Sequence, residues 1–301
     1  MPTPANPTRA APVPTAAERR AGLLWGFVGV ASFSLTLPAT RVAVAALDPV
    51  FVGLGRAVIA ALLAAIVLIG TRAQWPDRAL LPRLAVVAGG VVIGFPLFSA
   101  WALCYVPAAH GAVVIGLLPL ATAMAGALIA HERPSGLFWL SAIFGSGVVV
   151  GFALWQGGGA PHPADLLLIL AVVAAAIGYA EGGRLSRTIP GWKVICWALV
   201  LAAPFVAIPT FFAIDDSLLT APASAWIGFA YVSAISMFLG FFAWYRGLAL
   251  GGIATVGQVQ LIQPFLTIFA SAWLLGERVD VATYVAAALV IASIAAGRRA
   301  R

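Results

Sequence analysis

The sequence predicts an all-α integral membrane protein, ten transmembrane helices arranged as two five-helix repeats of inverted topology. Three observations lead there. The 301 residues are 62% hydrophobic and 9% charged, with a mean hydropathy of +1.04, whereas a soluble domain carries about 25% charged residues. So few charges cannot cover a globular surface. The apolar stretches are continuous rather than alternating at every second residue, which favours helices over a barrel, and at about 20 residues per span the chain has room for roughly ten. Finally, the segment LLPLATAMAGALIAHERP (Leu117–Pro134) is echoed by LIQPFLTIFASAWLLGERV (Leu261–Val279).

Residues 1–20 are expected to be a disordered tail, rich in Pro, Ala and Thr up to Ala17 and lacking the parts of a cleavable signal peptide. The first apolar run follows Arg19 and Arg20, so helix 1 is expected to be a retained anchor. The first repeat, residues 21–156, holds spans near Leu23–Ala46, Val50–Gly70, Leu84–Cys104, Ala108–Ala130 and Gly136–Trp155. The second, residues 164–298, holds spans near Asp165–Gly183, Gly191–Ala213, Ser224–Tyr245, Ile253–Leu275 and Val281–Gly297. Turn chemistry separates them, in LDPV, AQWPDR, HERPSG, QGGGAPHPAD, IPGW and DDSLLTAPAS, and none of these connections could hold a folded extramembrane domain. Cys104 and Cys196 lie inside apolar runs without metal-ligand spacing, so no disulfide and no metal site is expected.

Charge placement orients the chain. With the N-terminus in the cytoplasm, that side receives Arg9, Arg19, Arg20, Arg72, Arg78, Arg83, Arg133, Arg184, Arg187, Lys193, Arg246, Arg298, Arg299 and Arg301, fourteen of the seventeen Lys and Arg. Only Arg41 and Arg278 fall on the far side, and Arg56 falls within helix 2. This is the positive-inside bias; it places both termini in the cytoplasm and requires an even helix count. The +7 net charge thus reports topology rather than a nucleic-acid partner.

A shift of 145 residues lays Leu97–Arg133 on Phe242–Arg278 without a gap, and the informative matches are Pro119 with Pro264 and Glu132-Arg133 with Glu277-Arg278. Five helices per repeat is an odd number, so the second repeat enters the membrane from the opposite side. Inverted repeats of this kind suit alternating access to a site between the halves. The same architecture would also follow from duplication that merely enlarged a scaffold.

LLWGFVGVASFSLTLPATRVAV in helix 1, DPVFVGLGRAVIAALL around Arg56 and the two P…ER segments resemble the EamA-type members of the drug/metabolite transporter superfamily, over about Leu23 to Ala296. The resemblance implies ten helices in two inverted repeats, cytoplasmic termini, a solute path between the halves and a place in the bacterial inner membrane. The chain looks most similar to bacterial aromatic amino-acid exporters. His131 departs from the pattern, since the second repeat shows Gly276 there.

No G-x-x-x-x-G-K-[ST] loop is present, and the one lysine, Lys193, follows no such pattern, which argues against ATP as a cofactor. Glu132, Glu181 and Glu277 all lie near helix ends, so no carboxylate sits at membrane depth for proton coupling. Arg56 and His110 are the nearest ionisable candidates for gating or coupling. Arg56 equally suits a structural tie to neighbouring carbonyls, and His110 a helix cap or rim. Pro119 and Pro264 join them, because each removes a backbone donor and frees a carbonyl one turn earlier.

Substrate-binding candidates are the polar and aromatic residues at membrane depth. Gln258, Gln260 and Gln263 fall within six residues of helix 9 and on more than one face; they line a wet cavity or bond between helices. Phe98, Trp101 and Tyr105 share a helix-3 face by their three and four spacing. With Trp244 and the hydroxyl of Tyr179 they form either an aromatic binding wall or an interfacial belt. Gly22/Gly26, Gly90/Gly94, Gly147/Gly151, Gly178/Gly182 and Gly247/Gly251 follow the small-xxx-small spacing of close helix crossings.

The favoured function is a secondary exporter of amino acids or related small metabolites, a monomer with a small-molecule solute and the bilayer as its partners, no nucleic acid and no cofactor. A sugar-phosphate or nucleotide-sugar exchanger would want clustered basic residues inside the membrane, and Arg56 stands alone. An integral-membrane lipid-modifying enzyme would want clustered His, Asp, Glu or Ser near one interface, yet His110, His131 and His162 are scattered.

Overall fold

The computed structural model describes residues 15–155, 161–275 and 281–299. The described residues contain helices and no strand. Among the described residues, eight helices are long and apolar enough to cross a membrane: α1 (Ala16–Val44), α2 (Phe51–Gly70), α3 (Arg78–Tyr105), α4 (His110–Ile129), α5 (Gly136–Trp155), α6 (Asp165–Leu185), α7 (Gly191–Phe212) and α8 (Ala223–Gly251). Two shorter apolar helices follow, α9 (Ile253–Phe269) and α10 (Val281–Gly297). Large apolar side chains point outward from them, among them Leu62, Ile66 and Ile69 on α2 and Phe205, Ile208 and Phe212 on α7. A surface of this kind suits hydrocarbon and not water.

Helix α1 begins earlier than expected. A capping box in which the Thr15 hydroxyl accepts from the Glu18 amide, and Glu18 accepts from the Thr15 amide, starts α1 at Ala16, so residues 16–20 are helical. The expected features at Arg9, Gly276, Glu277, Arg278 and Arg301 lie outside the described residues.

Several helices are not continuous. α1 breaks at Ser34–Leu35 and α4 at Gly116–Leu117, and each resumes with a proline close by, Pro38 and Pro119. A proline cannot donate to the carbonyl four residues back, so the ladder opens there. α9 passes through a tight 3₁₀ turn, Gln258–Ile262, just before Pro264. Wider π-helical stretches occur at Phe51–Gly55 in α2, Ala88–Gly94 in α3 and Tyr231–Leu239 in α8. The stretches in α3 and α8 occupy corresponding places in the two repeats.

Glycines set the closest crossings. Gly22 and Gly26 on α1 meet Gly247 and Gly251 on α8, where a Cβ on Gly22 would lie 2.4 Å from the Gly251 nitrogen. Gly90 and Gly94 on α3 meet α6 around Ala174 and Gly178. Both crossings join the first repeat to the second, and they are equivalent pairs under the internal repeat: helix 1 with helix 8, helix 6 with helix 3. Gly147 and Gly151 have no atom within 4 Å of a would-be Cβ, so that motif makes no crossing. α5 packs against α10, with the Ser293 hydroxyl donating to the Ser141 carbonyl at 2.7 Å.

Candidate central cavity

The break in α1 starts the site. Pro38 leaves the Ser34 carbonyl without its helical donor, and the Thr267 hydroxyl of α9 donates to it. The neighbouring Phe33 carbonyl accepts from Gln263 Nε2 at 3.2 Å. Two interrupted helices, one from each repeat, are thus joined at their irregular turns.

Thr36, just past the break, shares a 2.8 Å hydrogen bond with the Ser236 hydroxyl, which the π-helical stretch of α8 turns inward. Arg56 follows the π-helical stretch of α2 and donates from Nη2 to Ser236 Oγ at 3.3 Å. It is 2% exposed, and its Nε and Nη1 have no hydrogen-bond partner among the described residues. These residues, with Tyr179 and Gln263, supply the polar lining of a cavity between the halves. Phe33, Phe95 and Phe241 supply aromatic lining. Space not filled by atoms is about 460 Å³, counting the part open to the outside, but clear room at the centre suits only one or two waters. A solute of amino-acid size would therefore need the halves to part.

Of the expected site residues, the structure brings Arg56, Tyr179 and Gln263 to this cavity. Trp244 is fully buried one layer behind, its ring 5.2 Å from Tyr179 and 6.1 Å from Phe33. Gln260 is buried with its amide beside the Tyr179 hydroxyl. Gln258 faces a second, smaller cavity near Ser141 and Ser293, and its Nε2 lies 3.5 Å from the Pro119 carbonyl. Phe98 is half-buried against Gly94, and Pro264 is half-buried next to Gln263. His110 pairs with Asp165 at 2.5 Å, at the adjoining ends of α4 and α6 and away from the cavity.

Trp101 and Tyr105 correct the expected binding wall. They are 36% and 70% exposed and lie on the outer face of α3. Their spacing groups them on one face but does not say which face turns inward. The expected result is that Trp101→Ala and Tyr105→Ala change solute flux by less than about twofold, while Tyr179→Ala lowers it at least about tenfold through loss of a buried aromatic contact. Equal losses at Trp101 and Tyr179 would contradict this placement. Thr36 and Ser236 escaped the sequence reading, although the Pro38 break was a usable signal for Thr36.

At the end of the bundle that carries Arg83, Arg184 and Arg187, charged groups tie the halves together. Glu132 follows α4 in the first repeat. Its Oε1 and Oε2 accept from the Ile253 and Ala254 amides that open α9, at 2.9 and 2.8 Å, and Arg187 Nη2 reaches Oε1 at 2.5 Å. Gly252, at φ 86°, makes the turn that aims those amides. Arg83 from α3 pairs with the buried Glu181 of α6, and Arg184 donates to the Ile129 carbonyl at 3.3 Å. His131 has φ 53°, left-handed backbone that favours glycine.

These features of two similar halves meet a family comparison that matches twice, over residues 20–154 and 162–296, to the model described as "EamA-like transporter family". The chain belongs to the EamA-like transporter family. This EamA-like chain is also 48% identical, over 278 residues, to the "Uncharacterized transporter YdeK" of Bacillus subtilis (strain 168), covering 92% of this chain and 97% of that one. A solved structure titled "Crystal structure of protein" matches with a TM-score of 0.72 at 19% identity, over 93% of this chain and 99% of that chain; this likeness concerns the fold alone. The EamA-like protein is a multi-pass membrane transporter built from two family repeats.

Proposed function

We propose that this transporter is a secondary exporter of amino acids, aromatic and other neutral ones, and of related small metabolites. Ten spans in two inverted five-helix halves would carry it, with both termini in the cytoplasm of a bacterium and the chain in the inner membrane as a monomer. Alternating access would come from the halves rocking about the central cavity. The observation that carries this reading is the cavity itself, placed where the broken α1 and the proline-interrupted α9 face each other and walled by groups from both repeats. Such broken helices at a repeat interface are the usual setting of a transported solute.

Counterflow in liposomes holding only the purified protein tests the proposal. Labelled phenylalanine, tryptophan and threonine should accumulate against an internal pool of the same solute without a pH gradient. A sugar phosphate should not. No accumulation of any amino acid would remove the substrate class, and uptake confined to the sugar phosphate would replace it.

A further inference from the structure

We propose that Arg56 recognises a carboxylate, so that the solute of this cavity is an amphipathic molecule with one carboxylate on an aromatic or apolar body. This deepens the exporter reading and rests on it. Arg56 is 2% exposed and lines the cavity, yet Nε and Nη1 are unpaired among the described residues and Nη2 has only a 3.3 Å bond to the neutral Ser236 hydroxyl. A guanidinium stays charged in a protein and cannot lose its proton to lower the cost of burial. Burying an unpaired charge is strongly unfavourable. The compensating anion has no source in the cavity lining, which among the described residues contains no Asp or Glu.

Described carboxylates elsewhere are engaged or distant from this lining. Glu181 pairs with Arg83, Glu132 with Arg187 and two amides, and Asp165 with His110. An anion arriving with the solute would supply the missing charge. The planar guanidinium suits a carboxylate fork: Nη2 carries two N–H groups and gives one to Ser236, so the other can act together with an unpaired neighbouring nitrogen. A dianionic phosphate would want a second cation, and among the described residues the lining has one. Phe33, Phe95 and Phe241 offer ring surface to the rest of the molecule, and the Thr36 and Ser236 hydroxyls flank the charged end. The same chemistry is presented by a zwitterionic amino acid and by its amine-free analogue, so both serve as probes.

The test uses the full-length purified protein, with 3-phenylpropanoate, phenylalanine and the uncharged 3-phenylpropanamide titrated by calorimetry, and counterflow of labelled phenylalanine and 3-phenylpropanoate run in parallel. The parental protein should bind 3-phenylpropanoate at least about tenfold more tightly than the amide, as expected for a charge-assisted pair. Arg56→Gln should erase that preference, bringing acid and amide affinities within about twofold of each other, and Arg56→Lys should keep part of it. Phenylalanine binding that follows the carboxylate supports an amino-acid solute; binding by 3-phenylpropanoate alone supports an amine-free acid, and both agree with the proposal. Equal affinity for acid and amide in the parental protein overturns it without needing any variant, as does a preference unchanged in Arg56→Gln or no binding of either. Arg56-dependent binding without counterflow would instead remove the transport of these solutes and leave the recognition intact. Counterflow with no acid preference would do the reverse.

Discussion

Gly247→Val is expected to prevent stable folding, the largest effect of any single change considered. A Cβ built on Gly247 would sit 2.6 Å from the Gly26 nitrogen and 2.9 Å from the Gly22 carbonyl oxygen. Both neighbours are backbone, so no rotamer change can make room. The reverse contact is as close, with Gly22 meeting Gly251 backbone at 2.4 and 2.6 Å. α1 and α8 would have to separate along their length, giving up the dispersion contacts and cross-repeat packing that the crossing allows. Overpacking a tight site costs about 1–3 kcal/mol and occasionally more, and here a branched side chain meets two helix backbones. Gly247→Ala should lower thermal stability clearly, and Gly247→Val should leave little monodisperse protein by fluorescence-detected size exclusion. Gly147→Val, on an exposed face with open space, serves as the control. Comparable stability of the two valine variants would show that the crossing tolerates expansion.

That comparison also shows what local sequence can and cannot say. All five glycine pairs looked alike as motifs, yet Gly22/Gly26 with Gly247/Gly251 and Gly90/Gly94 with Gly178 form two cross-repeat crossings, Gly182 faces Tyr245 within its own repeat, and Gly147/Gly151 forms no crossing, because spacing defines a stripe while its partner is a tertiary fact. The same limit explains Trp101 and Tyr105. Helix positions and the internal duplication were legible, since about twenty apolar residues in a row and a repeated P…ER segment need no partner to be seen. The break in α1 was partly legible through Pro38, but its capture by Gln263 and Thr267 was not. Arg56 was visible as an isolated charge in an apolar run. Its unpaired state became clear only when every neighbouring helix was in place. The Glu-Arg pair marked the repeat, whereas the duty of Glu132 as an acceptor for the amides of α9 depends on a contact 121 residues away.

Glu132→Ala is the second large prediction, and it concerns conformational balance. Glu132 comes from the first repeat, and its described partners, the Ile253 and Ala254 amides and Arg187, all come from the second. The carboxylate therefore holds the halves together at the end of the bundle expected to face the cytoplasm. A hydrogen bond to a charged group contributes about 1.5–3 kcal/mol, and loss of the acceptor leaves partly buried amides unpaired. A net loss of about 2 kcal/mol in the closed arrangement would shift the populations by roughly thirtyfold. Arg187→Ala should reproduce part of the effect, and the double variant should be less than additive because the two groups share one interaction. The readout is a cysteine placed in the cavity by Ser236→Cys, with Cys104 and Cys196 replaced by serine, labelled with an impermeant thiol reagent from either side. Labelling from the Arg187 side should rise in Glu132→Ala, and counterflow should fall because one of the two closed states is rarely reached. Glu132→Gln should be intermediate, since its amide oxygen can still accept from one backbone N–H but carries no charge for Arg187. Unchanged sidedness of labelling in both variants would mean that the contact stabilises the fold equally in every conformation and does not act as a gate.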